Sequence, residues 1–162
     1  MDNTARGLLA EFLVATALGL HNTPRVEWES FDLRTPSGLT IEVKSAAAVQ
    51  SWKQTAPTPI QFAIAPRMGW DPETGRYSGQ VRRWADLYVF CVLEGTDPLD
   101  LGRWEFYLLS SAVLDQECGQ RKSIRLGPLN QLSPARCNYQ DLRHTIEEVG
   151  SRIAGDDGTD DS

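Results

Sequence analysis

The sequence has few of the residues that build disulfide frameworks, zinc sites or membrane spans. Its 162 residues include three cysteines, Cys91, Cys118 and Cys137, and no Cys-x-x-Cys pair, which argues against disulfides and zinc alike. Its two histidines, His21 and His144, have no partner at metal-ligand spacing, so a histidine-based zinc enzyme is not expected. No apolar run approaches the roughly 20 residues that cross a bilayer, so we expect no membrane span.

The amino end also lacks the pattern of a secretory signal. Residues 1–6 contain no basic stretch leading into the apolar segment 8–20, and a cytoplasmic location is therefore the expectation. The length suits one α/β or α+β domain. We assign this domain to residues 1–154 and expect the acidic, glycine-containing tail at residues 155–162 to be disordered.

The net charge gives no simple indication of a partner. It is −6, but four aspartates lie in the last seven residues, and without them it is −2. Basic residues form two groups, Arg82 with Arg83, and Arg121 and Lys122 with Arg125. A local basic patch matters more for phosphate binding than the total charge does. Solvated surface charge explains each group equally well, so charge alone does not decide the function.

Residues 4–20 predict a first helix that is buried on most sides. The segment is apolar nearly all round, and Asn3 or Thr4 is suited to cap its amino end. Glu11 is the exception, because it shares a helix face with apolar residues such as Leu8. We therefore expect Glu11 either to be paired or to serve a site.

The rest of the chain predicts a mixture of strands and helices. The run LYVFCVL at residues 87–93 is typical of a central strand covered on both faces. The segment 67–79, rich in glycine, is interpreted as a loop and as a candidate substrate-facing arm. The other predicted strands lie at 25–35, with a break near 29–30, at 60–65 and at 104–109, and further helices at 46–55, 110–117 and 139–153.

The clearest local pattern is a β-hairpin around the turn Pro-Ser-Gly at 36–38. Apolar and polar residues alternate along the strand that follows it. A three-residue turn places Asp32 directly opposite Glu42, and Lys44 then projects from the same face of the hairpin as Glu42. An even-length turn would instead place Asp32 opposite Ile41, unless a bulge restored the register.

This arrangement of Asp32, Glu42 and Lys44 indicates phosphate chemistry. Two carboxylates facing each other are unfavourable without a cation, and their oxygens suit Mg²⁺. Lys44 would stabilise charge on a phosphate or orient a metal-bound water. The alternative is a solvated hairpin surface, which is the common explanation for an isolated Glu-x-Lys. The upstream aspartate and the helices before and after the hairpin favour the metal site.

The segments GLLAEFLVA and SFDLRTPSGLTIEVKS, with the helix predicted after them, resemble the PD-(D/E)XK nuclease superfamily. This superfamily includes restriction endonucleases and archaeal-type Holliday junction resolvases, and the resemblance covers roughly the first 55 residues. Phe31 replaces the proline of the motif, and Gln50 loosely matches a glutamine of some members. The resemblance implies an α/β fold of the restriction-endonuclease type, with a mixed central β-sheet flanked by α-helices.

The resemblance also implies the roles of the site residues. Asp32 and Glu42 would be metal ligands, and the backbone carbonyl of Val43 would join them. Lys44 would be the catalytic lysine, and Glu11 the helix carboxylate that supports the metal site. The implied cofactor is Mg²⁺, for which Mn²⁺ would substitute.

The implied activity is that of a Mg²⁺-dependent endonuclease acting on nucleic acid, DNA rather than RNA. A metal-activated water would be the nucleophile and the product would carry a 5′-phosphate. One active site per chain favours a homodimer for cutting both strands. Two alternatives stay open: a catalytically inactive nucleic-acid-binding module of the same fold, and a structural or partner-binding protein whose hairpin charges pair with one another.

Overall fold

A computed structural model describes residues 1–20, 30–48, 59–71 and 73–158. The helices are α1 (Asn3–Ala17), α2 (Ser111–Cys118), α3 (Leu126–Gln131) and α4 (Leu142–Asp157), with a 3-10 turn at Leu101–Arg103. The strands are β1 (Leu33–Arg34), β2 (Thr40–Ala47), β3 (Gln61–Ala63), β4 (Arg67–Asp71), β5 (Arg76–Arg82), β6 (Leu87–Leu93), β7 (Trp104–Ser110), β8 (Ser123–Arg125) and β9 (Ala135–Cys137).

The central sheet has five strands in the order β1-β2-β6-β7-β9. Strand β2 runs parallel to β6, and the other neighbours are antiparallel. Strand β6 lies in the middle and every one of its residues is buried, as its unbroken apolar sequence predicts. Helices cover both faces of the sheet. The predicted mixed α/β architecture is therefore confirmed.

The two faces of the sheet pack against different layers. Ile41 and Val43 of β2 lie in a core with residues of α1 and α4. Phe90 of β6 lies in a second core with residues of α2, α3, β3 and β8. Because side chains alternate along a strand, Glu42 and Lys44 project towards the second layer. The candidate site therefore lies on the opposite face of the sheet from α1.

Helix α1 begins earlier and is less buried than its sequence predicts. Its N-cap is Asp2, whose carboxylate accepts a hydrogen bond of 2.7 Å from the Ala5 amide, and not either of the two residues predicted. Leu13 is buried, but Leu8 and Phe12 have exposed fractions of 51% and 56%. The prediction of a helix buried on most sides is wrong, because among the described residues α1 packs on the sheet and α4 along one stripe.

Several other predicted elements are confirmed. Strand β3 lies within the predicted strand 60–65, and β7 covers the predicted strand 104–109. Helices α2 and α4 match the predicted helices 110–117 and 139–153 to within a few residues. Helix α4 continues to Asp157, so the segment predicted as a tail begins inside a helix, while residues 159–162 lie outside the described part of the chain. Within the described ranges, no helix has the length and apolarity that a membrane crossing requires.

Two predictions need correction. The prediction of a helix at 46–55 is wrong at its start, because Ala46 and Ala47 belong to β2. The rest of this prediction is not tested from residue 49 onwards, since residues 49–58 lie outside the described part of the chain. The loop predicted at 67–79 is instead the antiparallel hairpin β4–β5. In this hairpin the rings of Trp70 and Tyr77 meet edge to face at 5.0 Å, and such cross-strand aromatic pairs stabilise strands.

Gly69 is required where the β4–β5 hairpin meets Trp84. A Cβ atom at position 69 would stand 2.6 and 2.7 Å from Trp84 ring carbons and 3.0 Å from the hydroxyl oxygen of Ser30. We expect Gly69→Ala to lower the free energy of unfolding by about 1–3 kcal/mol, measured by urea denaturation. Gly79→Ala in β5 is the control, since a Cβ there meets nothing within 4 Å. Equal losses in the two variants would contradict the steric explanation.

Candidate active site

The β1–β2 hairpin has the predicted register. Leu33 pairs with Ile41 and Arg34 pairs with Thr40, the register that a three-residue turn predicts, and Asp32 lies immediately before these paired residues. The amide of Asp32 donates to the Ile41 carbonyl at 3.0 Å, which ties this residue to β2. Asp32 thus shares its partner residue with Leu33, and the paired ladder ends at Leu33. The hairpin still brings the carboxylates of Asp32 and Glu42 close enough for their charges to interact.

Asp32 is held by the backbone of β2. Its Oδ2 accepts a hydrogen bond of 2.7 Å from the Val43 amide. Burial raises the pKa of the Asp32 carboxyl, and the charge of Glu42 raises it further, while the Val43 amide, Lys44 and Arg67 act in the opposite direction. The negative charge on Asp32 is therefore unfavourable in this position, and a nearby cation would stabilise it.

Glu42 is nearly buried and carries two cationic partners. Its exposed fraction is 4%. Lys44 Nζ lies 2.8 Å from Glu42 Oε1, and Arg67 Nη2 lies 3.1 Å from Oε2 and 3.2 Å from Oε1. The side chains of Lys44 and Arg67 are 24% and 53% exposed. The buried carboxylate is thus stabilised by two charges that both reach towards solvent.

The backbone N–H and C=O groups of Val43 are directed towards the edge of β2 where Asp32 lies. In a strand, the N–H and C=O of one residue face the same neighbouring strand. Since the Val43 amide donates to Asp32, its carbonyl also faces the edge of β2 where Asp32 lies. This placement agrees with a ligand role for the carbonyl, a role that stays a prediction.

A metal-binding role fits the oxygen donors of this edge. In the described part of the chain, no group of three or more His, Cys, Asp or Glu side chains is arranged to hold a metal ion. However, Mg²⁺ commonly takes only one or two protein carboxylates and completes its shell with water and phosphate. Asp32, Glu42 and the Val43 carbonyl are hard oxygen donors of this kind.

The roles of two further predicted site residues, Glu11 and Gln50, stay predictions. Glu11 is partly buried on α1, and α1 packs on the face of the sheet opposite to Glu42 and Lys44. The supporting role of Glu11 stays a prediction. Gln50 lies outside the described residues.

The sequence did not reveal Arg67 or Tyr88 as neighbours of the site. Tyr88 pairs with Glu42 across the β2–β6 ladder and is 5% exposed. Burial, followed by the charge of Glu42, raises the pKa of Tyr88 to about 12, so its hydroxyl stays protonated at neutral pH. The only available signal for Arg67 was its place at the start of the segment interpreted as a substrate-facing arm.

The basic pair Arg82 and Arg83 does not form a phosphate-binding group. Arg83 is 3% exposed, and its guanidinium donates to Asp115 at 2.7 Å and to the Ile64 carbonyl at 2.9 Å. The guanidinium of Arg82 lies 4.6 Å from the centre of the Trp84 ring. Arg83 is therefore structural, whereas Arg82 remains at the surface.

A groove of about 600 Å³ lies elsewhere, between α4 and the β1–β2 turn. Its lining includes Leu39, Ile146 and Gly150. Ile146 belongs to the core on the α1 side of the sheet. The groove is thus separate from the side chains of Glu42 and Lys44.

Comparison with known protein families identifies a family to which the chain is similar. The model of the family described as bacteriophage T4 endonuclease IV matches residues 1–124, a span that includes α1, the β1–β2 hairpin, the β4–β5 hairpin and the central strand. No curated protein sequence matches the chain. The family match supports a nuclease and leaves the PD-(D/E)XK resemblance as a prediction. Because the match covers well over half of its length, the chain belongs to the bacteriophage T4 endonuclease IV family and is a nuclease.

Proposed function

We propose that the chain is a metal-dependent endonuclease of the PD-(D/E)XK kind that hydrolyses phosphodiester bonds of DNA. The observation that carries this proposal is the convergence of Asp32, Glu42 and Lys44 at one edge of β2, within a chain of an endonuclease family. A buried and a partly buried carboxylate beside a partly exposed ammonium have the composition of a phosphoryl-hydrolysis site.

Asp32, Glu42 and the Val43 carbonyl are the proposed ligands of Mg²⁺, or of Mn²⁺ in its place. When bound, the ion would act as a Lewis acid and lower the pKa of a coordinated water. A cation held by the two carboxylates would relieve their mutual repulsion. The Val43 amide keeps the Asp32 carboxylate oriented towards this position.

Lys44 is the proposed residue that stabilises charge on the scissile phosphate. Its ammonium is anchored at 2.8 Å from Glu42, which limits its freedom, and its side chain is 24% exposed, which leaves it accessible to a substrate. A pre-positioned cation stabilises the transition state because it needs no reorganisation during the reaction.

The β4–β5 hairpin is the proposed surface for the nucleic-acid backbone. It begins at Arg67 beside Glu42 and presents exposed Arg76 and Arg82, together with Tyr77, whose exposed fraction is 65%. Arginine side chains bind phosphates, and aromatic rings contact bases or sugars. For cutting both strands of a duplex, a homodimer stays the expectation.

The proposed function is tested by cleavage of a panel of labelled duplex, branched and single-stranded DNAs. We expect cutting with Mg²⁺ or Mn²⁺ and none when EDTA removes the metal. Cutting that persists in EDTA would contradict the metal dependence. DNA binding without cutting of any substrate would favour the inactive binding module.

The ion pairs on Glu42 also agree with the alternative in which the hairpin charges merely neutralise each other. Metal titration separates the two explanations, since an ion that binds only the folded state raises the melting temperature of the protein. We expect Mg²⁺ or Mn²⁺ to raise the melting temperature of the wild type and to leave that of Asp32→Ala unchanged. No shift with either ion in the wild type would favour the alternative.

A further inference from the structure

We propose that Arg67 is a substrate-responsive counter-ion of Glu42. In the free protein its guanidinium holds the carboxylate, and on binding of nucleic acid it transfers to a phosphate of the backbone. Glu42 is thereby released for the metal. This inference rests on the proposed function, because it assumes a polyanionic substrate and a metal ion at Glu42.

The contacts of Arg67 resemble those of a bound cation. Its Nη2 lies 3.1 and 3.2 Å from the two oxygens of Glu42 and 3.2 Å from the carbonyl oxygen of Ser30. One terminal guanidinium nitrogen carries only two N–H groups, so three oxygens share them. The nitrogen therefore occupies a position between oxygens that a metal ion would also favour, and the two cations compete for Glu42.

The ion pair is arranged so that the arginine can leave and the carboxylate cannot. The Arg67 side chain is 53% exposed, whereas that of Glu42 is 5% exposed. Solvent screens an ion pair of this kind, and its net stabilisation is small. Lys44 remains on Glu42 Oε1 after Arg67 departs. The carboxylate would thus keep one cationic partner throughout.

The position of Arg67 in the hairpin links it to the substrate surface. The main chain at Arg67 is held by a hydrogen bond of 2.8 Å from the Trp84 indole to its carbonyl. Its side chain can therefore move while the strand stays in place. Across the ladder it faces Arg82, which is also exposed. A phosphate approaching this end of the hairpin meets two guanidinium groups, and guanidinium binds phosphate in a bidentate manner.

The test uses the full chain with Arg67→Gln, Arg67→Lys and the control Arg143→Gln. Arg143→Gln removes the same charge and a similar ion pair, that with Glu147, but Arg143 lies on α4, on the other face of the sheet. Mn²⁺ affinity is measured by calorimetry without DNA, and cleavage is measured in Mg²⁺ at saturating DNA. We expect Arg67→Gln to bind Mn²⁺ about tenfold more tightly, because a competing charge is removed. We expect its cleavage to be about 10²-fold slower, because a phosphate contact is lost.

A tighter affinity for Mn²⁺ together with slower cleavage distinguishes this role of Arg67 from a structural one. Unchanged or weaker Mn²⁺ affinity in Arg67→Gln overturns the proposal, and so does cleavage at the wild-type rate. Arg67→Lys keeps the charge and tests the same contact if the glutamine variant does not fold. We expect it to cut DNA more slowly than the wild type and faster than Arg67→Gln. If Arg67→Lys cuts as fast as wild type, bidentate contact is refuted. A wild type that neither binds Mn²⁺ nor cuts DNA refutes the proposed function as well.

Discussion

Replacing Lys44 with alanine is expected to lower the kcat of DNA cleavage by about 10³-fold. The ammonium of Lys44 is the proposed stabiliser of charge that develops on the scissile phosphate, and removing one such pre-positioned group has an effect of this size. DNA affinity, measured by fluorescence anisotropy without metal, is expected to change less than threefold, since the remaining phosphate contacts come from the β4–β5 hairpin. The loss should therefore appear in kcat and not in binding.

Lys44→Met separates charge from packing. Methionine keeps most of the volume of the lysine side chain but not its charge, so we expect the same loss of kcat as in the alanine variant. If Lys44→Met cuts at close to the wild-type rate, the ammonium has no catalytic role. If both variants bind DNA far more weakly than wild type does, Lys44 contributes to ground-state binding instead.

The two carboxylates are expected to have opposite effects on stability. Asp32→Asn removes a partly buried negative charge close to Glu42 and keeps an oxygen that accepts from the Val43 amide. Without metal, we expect it to raise the free energy of unfolding by about 1 kcal/mol. Glu42→Gln removes the charge that Lys44 and Arg67 share, and we expect it to lower that free energy by about 1–3 kcal/mol.

Both carboxylate variants are expected to lose cleavage by at least about 10³-fold, because each would lack a proposed metal ligand. Urea unfolding in EDTA measures the stabilities, and the same experiment in excess Mg²⁺ should stabilise only the wild type. If the two variants change stability in the same direction, the explanation by charge repulsion and charge pairing is wrong. If either variant cuts at the wild-type rate, its carboxylate is not a ligand.

The sequence by itself determined the local half of this site. A three-residue turn and a period-two pattern specify which residues face each other, and these are properties of neighbouring residues. The proximity of Asp32 to Glu42 and the place of Lys44 beside Glu42 were therefore predictable. An apolar run such as Leu87–Leu93 likewise identified the central strand, because both of its faces must be covered.

The tertiary structure decided the other half. Arg67 stands 25 residues beyond Glu42 in sequence, and its contact depends on how the β4–β5 hairpin packs against Trp84. That hairpin was itself mistaken for a loop, because its glycines outweighed its aromatic pair in the sequence pattern. Contacts between segments distant in sequence depend on the packing of whole layers, and no short pattern encodes them.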